Sequence, residues 1–261
     1  MATAHTRAAA ALGATASGPA VWGYQGRTLG RHATHRLHGA CWLRLQAAPA
    51  GKEGGKHWEG QEHAAHLFPT VRKPTLHAIR DATLDGYAYR AELFDRVDDP
   101  VLCPDGPVLH HELDLPDVWF KRLREDLDTI AATATDRAAV RQEWIDRAVP
   151  QFTVRPAPQI TEWTCAHGDL HLANITTGAL ILDWEGFGLA PRGWDAALLY
   201  AYSLLVPATA ARIHTAFADV LDTETGRTAQ LITAADLLQS SSRGDHPELT
   251  GPLRELVATL P

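Results

Sequence analysis

The chain has 261 residues, of which 45% are hydrophobic and 21% are charged, as is usual for globular proteins. Its net charge of −7 disfavours a general affinity for nucleic acid or for an anionic membrane surface. No segment approaches the ~20 consecutive apolar residues of a membrane span. The three scattered cysteines, Cys41, Cys103 and Cys165, show neither zinc spacing nor a disulfide framework, which favours a reducing cytoplasm.

The first 18 residues predict a flexible leader. This segment contains Arg7, an alanine run and a single leucine, which is weak for the apolar core of a signal peptide. We therefore place the first folded region after it, at residues 19–97.

Residues 19–97 predict a small β-rich lobe. Short apolar or β-branched runs, separated by glycines, indicate strands, and Asp85-Gly86 indicates a hairpin turn. The predicted strands are 21–24, 33–37, 41–45, 76–79 and 87–97, with one helix over 58–67.

Residues 98–261 predict a larger, mostly helical lobe. Apolar residues recur at helical spacing, and two short strands are expected at 162–166 and 179–184. The predicted helices are 115–132, 138–149, 194–205, 208–221, 229–238 and 249–260. The fold class predicted from this order is α+β, with two lobes.

One polar cluster predicts chemistry. Residues 167–174 read His-Gly-Asp-Leu-His-Leu-Ala-Asn, and Asp183 follows an apolar run nine residues after Asn174. The order H-x-D-x-x-x-x-N, followed by Asp after a strand, is typical of a kinase catalytic loop and its metal-binding Asp. In that arrangement Asp169 meets the acceptor hydroxyl, while Asn174 and Asp183 supply hard oxygen ligands for Mg²⁺.

The sequence resembles the aminoglycoside phosphotransferase-like branch of the protein-kinase-like fold. Three motifs carry the resemblance: His-Gly-Asp at 167–169 with Asn174, Ile-Leu-Asp-Trp-Glu at 181–185, and Ala-Pro-Arg-Gly-Trp-Asp at 190–195. The close match covers about residues 165–200, and the two-lobed layout is compatible over roughly 20–250. The resemblance implies a two-lobed fold, ATP or GTP as donor, and Mg²⁺.

The resemblance also implies individual roles. Asp169 would be the base or orienter of the acceptor hydroxyl, and Asn174 and Asp183 would hold the metal. His167 would pack under the loop and hydrogen-bond its backbone. Asp195 would be a helix N-cap that braces the loop.

The β-rich lobe is expected to contact the nucleotide. Gly26 and Gly30 are predicted to form a turn over the phosphates, and Arg44 stands where the family has a strand lysine. Glu62, or alternatively Glu59, is the predicted helix partner of Arg44. Two lysines of the loop before this helix could replace Arg44: Lys52 and Lys56.

The predicted reaction is transfer of the γ-phosphoryl group of ATP to a hydroxyl of a small molecule. The acceptor could be an antibiotic, a sugar, a choline-like alcohol or a Ser/Thr of a peptide. One alternative is a metal-dependent hydrolase with His167, Asp169 and His171 as ligands, completed by His110, His111 or Glu112. Another is a catalytically inactive kinase-like binding protein, suggested by Arg44 and the weak glycine pattern.

The stretch 92–128 is acidic. It contains 11 acidic and four basic residues, a net of −7 that equals the charge of the whole chain. Two interpretations stay open: a patch that attracts a cationic acceptor, or a solvated face.

Overall fold

A computed structural model of the chain describes the backbone of residues 1–261 and every side chain except that of Tyr24. The chain divides into two compact units. Unit 1 contains Met1–Pro69 and Lys73–Asp99, and unit 2 contains Thr70–Arg72 and Pro100–Pro261. The main division therefore follows residue 99, near the expected one after residue 97, but unit 1 starts at residue 1 and not at residue 19.

Unit 1 is built on one antiparallel sheet of five strands, in the order β1-β2-β3-β5-β4. The hairpin between β4 and β5 turns at Asp85 and Gly86, both at positive φ, which confirms the predicted turn. The elements of this unit are α1 (Ala2–Ala11), β1 (Ala14–Trp22), β2 (Thr28–His35), β3 (Gly39–Pro49), α2 (Lys56–Leu67), β4 (Leu76–Leu84) and β5 (Tyr87–Asp95).

The expected leader is wrong, because residues 1–18 form α1 and the first part of β1. Ala4 and Ala9 of α1 are buried against a core that includes Leu43, Leu45 and Leu93 of the sheet. Alanine has a high helix propensity, and its small side chain lets the helix approach the strands closely. The alanine run is therefore a packing surface for one face of the sheet.

The other face of the sheet carries charged side chains. Side chains alternate along a strand, so Arg44 points away from the face that holds Leu43 and Leu45. Its register partner on β5 is Glu92, which is fully buried. The sheet thus separates Arg44 and Glu92 from the core that α1 covers on its other face.

Unit 2 is mostly helical, around a two-stranded antiparallel sheet of β6 and β7. One hydrophobic core of this unit packs α5 and α8 together with parts of α4 and α9. Within the described residues, no helix combines the length and apolarity needed to cross a membrane. The elements are α3 (Asp117–Ala131), α4 (Gln142–Thr153), β6 (Trp163–Ala166), β7 (Gly188–Pro191), α5 (Trp194–Tyr202), α6 (Pro207–Ala216), α7 (Ala218–Leu221), α8 (Glu224–Ser242) and α9 (Thr250–Thr259).

The strand expected at 179–184 is wrong. Only Ile181 makes a β-bridge, with Ile175, and both Ala179 and Asp183 adopt positive φ. The run is apolar because it is buried: Ala179 and Ile181 are fully enclosed. The partner of β6 is instead β7.

Candidate active site

The loop after β6 is fixed by the buried ring of His167. Its Nε2 atom lies 2.9 Å from the carbonyl oxygen of Leu182, which can only accept, so Nε2 donates. The ring also packs edge-on against Trp184, with centroids 4.9 Å apart. His167 therefore links the start of the loop to the segment that ends at Asp183.

The carboxylate of Asp195 holds the backbone of the same loop. It accepts from the backbone N–H of His167 at 2.7 Å and from that of Gly168 at 3.0 Å. Burial raises the pKa of Asp195, while His167 and these two N–H groups act in the opposite direction. The predicted N-cap role is wrong, because α5 begins at Trp194 with Gly193 as its N-cap; Asp195 lies in the first turn.

Gly168 is the residue that lets the loop pass close to another backbone segment. Its φ is +87°, and a Cβ atom there would lie 2.7 Å from the carbonyl oxygen of Gly186. Only glycine fits this conformation and this approach without a shift of the backbone. The indole N–H of Trp194 donates to the Gly168 carbonyl at 3.1 Å and completes the support.

Asp169 follows directly and stays accessible. Its side chain is 55% exposed, and one oxygen lies 3.7 Å from Nε2 of His171. The amide nitrogen of Asn174 donates to the Asp169 carbonyl at 3.0 Å. The loop thus positions the Asp169 main chain by hydrogen bonds while its carboxylate reaches solvent.

Asn174 and Asp183 are brought to one end of a short backbone pairing. The N–H of Leu182 donates to the Asn174 carbonyl at 2.8 Å, which places the following residue, Asp183, beside Asn174. The Asn174 amide nitrogen is used inside the loop, and the same side chain carries the amide oxygen Oδ1. An amide oxygen and a carboxylate are donors that Mg²⁺ prefers, so the residues present fit this ion.

An acidic residue that the sequence analysis missed lies near this loop. Asp236 is on α8, and burial raises its pKa to about 6, with the charge of Asp169 adding to the effect. Two aromatic side chains belong to the same region: Tyr202 packs edge-on against His171, with centroids 5.5 Å apart. No local pattern marks Asp236, because it is a single acid in the run Thr-Ala-Ala-Asp-Leu-Leu.

In unit 1, the predicted pairing of Arg44 with Glu62 is wrong. The Nη1 atom of Arg44 lies 2.6 Å from a carboxylate oxygen of Glu92, its register partner on β5. Glu62 instead pairs with Arg90 at 3.0 Å, and Arg90 also pairs with Asp81. The physical reason is register, because β3 and β5 bring Arg44 and Glu92 face to face on the same side of the sheet.

The two predicted phosphate-turn glycines lie in different structures. Gly26 lies in the turn between β1 and β2, at φ +69°. Gly30 is inside β2, where a Cβ would meet the Trp42 ring at 2.1 Å, so its absent side chain makes room for that ring. The expectation that both glycines form the turn is therefore wrong for Gly30.

The acidic stretch 92–128 does not form a single charged surface. Glu92 is buried against Arg44, Asp95 pairs with His77, and Asp126 pairs with Arg72. Local ion pairs thus neutralise several of its members.

The zinc ligand set considered for a hydrolase does not assemble. The Nε2 atom of His167 donates to the Leu182 carbonyl, and Nε2 of His110 lies 3.9 Å from a carboxylate oxygen of Glu248. Across the described residues, no group of three or more His, Cys, Asp or Glu could hold a metal ion.

Comparison with known structures decides the fold. No protein-family model matches the sequence, and no curated protein matches it. Among solved structures, the aminoglycoside phosphotransferase APH(4)-Ia, in a ternary complex with ADP and hygromycin B, is similar with a TM-score of 0.65 and 13% identity over 98% of both chains. The chain has an aminoglycoside phosphotransferase fold.

Two further structures share this fold. An amicoumacin kinase has a TM-score of 0.59 and 11% identity, over 100% of this chain and 94% of that one. The spectinomycin phosphotransferase APH(9)-Ia has a TM-score of 0.53 and 12% identity, over 95% of this chain and 92% of that one. The phosphotransferase fold confirms the predicted α+β class and the protein-kinase-like architecture.

Proposed function

We propose that this chain is a kinase that transfers the γ-phosphoryl group of ATP to a hydroxyl of a small molecule. The observation that supports this most directly is the loop of residues 167–174, which holds Asp169 accessible and Asn174 next to Asp183. In the proposed step the acceptor oxygen bonds to the γ-phosphorus and the bond to the β–γ bridging oxygen breaks. ADP leaves, and the hydroxyl proton passes to Asp169.

Asn174 and Asp183 are the residues that would hold Mg²⁺. When bound, the ion supplies positive charge that neutralises the phosphate oxygens. Asp183 adopts a left-handed conformation, with φ 57° and ψ 70°. It directly follows Leu182, whose N–H donates to the Asn174 carbonyl. A non-glycine residue held in this region is common at functional sites, which supports the assignment.

Asp169 would act on the acceptor hydroxyl. A positioned base typically contributes about 10²–10⁴-fold to the rate. Positioning matters as much, because the loop backbone is fixed by Asp195 and His167 before any substrate arrives. His167 is therefore a positioning residue in this proposal, since its ring is fully buried.

The proposed acceptor is an alcohol that also carries an amine. Burial and then the charge of Asp169 raise the pKa of Asp236, and an ammonium group would relieve the repulsion between the two carboxylates. The related structures were determined with hygromycin B and with spectinomycin, which supports including antibiotics among the acceptors. Another was determined with AMP-PNP and Ca²⁺, which supports a nucleotide and a divalent ion.

Arg44 and Gly26 stay predictions as nucleotide-contacting residues. A second candidate function, a nucleotide-binding protein without turnover, rests on the pairing of Arg44 with Glu92 and of Glu62 with Arg90. This pattern differs from the strand lysine paired with a helix glutamate of protein kinases. A cytoplasmic location also belongs to the proposal; the three cysteines are free and buried, as a reducing compartment allows.

The test is ADP release from MgATP with a panel of aminoglycosides, sugars, choline-like alcohols and Ser/Thr peptides. We expect release with an amine-bearing alcohol, and a fall of about 10²–10⁴-fold in the variant Asp169→Asn. Asp114→Asn, which changes a fully exposed carboxylate, is the matched control and should keep wild-type turnover. Binding of MgATP without release by any acceptor would favour the non-catalytic candidate.

A further inference from the structure

His171 lies inside the loop of residues 167–174, and the proposed reaction gives it no role. Its backbone carbonyl accepts from the backbone N–H of Asn174 at 2.8 Å, which closes a turn between the two residues. A second contact joins their side chains, because the Nδ2 atom of Asn174 lies 3.2 Å from Nε2 of His171. The two residues are thus linked through the main chain and through the side chains.

The direction of the side-chain hydrogen bond follows from the other partner of the Asn174 amide. The same Nδ2 atom lies 3.0 Å from the carbonyl oxygen of Asp169, and a carbonyl oxygen can only accept. This contact identifies the atom as the amide nitrogen, which has two hydrogens to donate and cannot accept. Nε2 of His171 is therefore the acceptor of the second hydrogen. The neutral ring then carries its own hydrogen on Nδ1.

This tautomer leaves Nδ1 of His171 without a partner. The atom is buried and forms no hydrogen bond among the described residues, and a buried N–H group without an acceptor is costly. The opposite tautomer would bring a hydrogen of Nε2 against a hydrogen of the Asn174 amide. It would gain nothing from Asp169, because 3.7 Å to the carboxylate oxygen is too long for a hydrogen bond. The hydrogen bond that Nε2 accepts therefore explains the unpartnered Nδ1.

The imidazole ring of His171 is held by α5. Tyr202, the last residue of this helix, is buried and packs edge-on against the ring, with centroids 5.5 Å apart and an interplanar angle of 76°. The first turn of the same helix contributes Asp195, which accepts from the backbone N–H groups of His167 and Gly168. One helix thus fixes both the start of the loop and the ring in its middle.

We propose that His171 is a positioning residue, which fixes the amide of Asn174 so that the oxygen Oδ1 is the atom left for the divalent ion. This inference rests on the proposed function, because it requires Asn174 as a metal ligand. Both hydrogens of the amide have acceptors, the Asp169 carbonyl and the His171 ring. A flip of the amide would place Oδ1 against these two acceptors and break both hydrogen bonds. In this role His171 acts only through Asn174.

The first experiment measures the affinity of the full chain for ATP by calorimetry, with and without Mg²⁺. His171→Phe keeps a ring for Tyr202 but removes the acceptor, and we expect its affinity for MgATP to fall about 10–100-fold. Its affinity for ATP without Mg²⁺ should not change. His171→Gln has an amide oxygen that can accept from Asn174, so it should recover most of the lost affinity.

The matched control is His110→Phe, which makes the same chemical change in a side chain that is 60% exposed. It should keep the wild-type affinity for MgATP. Equal affinities for MgATP in the wild type and in His171→Phe would overturn the proposal. A His171→Gln variant no better than His171→Phe would also overturn it, because an acceptor at this position would then not be what matters.

A double variant tests whether His171 acts through Asn174. Asn174→Ala removes the amide, so adding His171→Phe to it should cause no further loss of affinity for MgATP. A further loss in the double variant would contradict a role that depends on this amide. A side chain that merely supported the fold would add its own effect to that of Asn174→Ala.

The tautomer of His171 provides a readout that does not depend on metal or nucleotide. Long-range ¹H–¹⁵N NMR of the wild-type protein in alkaline buffer should place the ring hydrogen on Nδ1. A hydrogen on Nε2 would contradict the hydrogen bond with Asn174 and overturn the proposal. A wild-type protein whose affinity for ATP does not respond to Mg²⁺ would instead refute the proposed metal site, and this inference with it.

Discussion

The loop of residues 167–174 in unit 2 and the strand pair β3–β5 in unit 1 engage carboxylates in different ways. In unit 2, Asp195 and His167 fix the loop through hydrogen bonds to backbone N–H and carbonyl groups. The side chain of Asp169 remains 55% exposed. In unit 1, carboxylates are taken up by guanidinium groups, and Glu92 is fully buried beside Arg44. Hydrogen bonds to the main chain position Asp169 while its carboxylate stays accessible, whereas the Glu92 carboxylate is enclosed beside Arg44.

This difference predicts that the largest stability effect comes from unit 1. Glu92→Gln removes a buried counter-charge of Arg44, and we expect a loss of about 3–5 kcal/mol in the free energy of unfolding. Glu62→Gln is the matched control: its side chain is 40% exposed, so we expect a loss of less than about 1 kcal/mol. Urea unfolding measures both, and equal losses would show that burial does not distinguish the two pairs.

A change at Asp183 should act on the nucleotide and not on stability. We expect Asp183→Asn to weaken MgATP by about tenfold or more, because one of two metal donors loses its charge. Affinity for ATP without Mg²⁺ should stay within about twofold. Calorimetry with Asp128→Asn, an exposed carboxylate on α3, provides the control. An unchanged affinity for MgATP would remove Asp183 from the proposed metal site.

The smallest expected effect concerns Asp236 and pH. Burial raises its pKa to about 6, well above the usual range of an aspartate, so the folded state favours the neutral acid. Its burial therefore costs stability increasingly as pH rises from about 4 to about 6, and the cost is constant above that range. Asp236→Asn should be more stable than the wild type by about 1–2 kcal/mol at pH 7.5, with a gap that closes towards pH 4. Thermal unfolding across this range measures the gap; a gap independent of pH would contradict the assignment.

The loop could be predicted from the sequence because its contacts are local. His167, Gly168, Asp169 and Asn174 lie within eight residues, and their spacing already indicates the turn that the structure contains. The apolar run before Asp183 was expected to be a strand because burial and strand pairing leave the same pattern in a short segment. The positive φ angles of Ala179 and Asp183, which interrupt the expected strand, leave no mark in the sequence from which they could be predicted.

The remaining features depend on distant parts of the chain. Arg44 meets Glu92 because of strand register, across 48 positions, and no spacing rule at Arg44 points to it. The segment with the alanine run predicts a leader because its single leucine is weak for the core of a signal peptide, yet Ala4 and Ala9 are buried against the sheet. Asp236 is a single acid inside α8, and the charge of Asp169, which contributes to its raised pKa, comes from a distant part of the chain.

The anchor formed by Asp195 ties the loop to the scaffold of unit 2. Asp195 belongs to α5, α5 packs on α8, and α8 carries Asp236. A bulkier acceptor that displaced α8 would therefore also shift the backbone N–H groups of His167 and Gly168, which precede Asp169. Broadening acceptor choice by substitutions in α8 should then carry a penalty in turnover, which second changes in α5 could relieve.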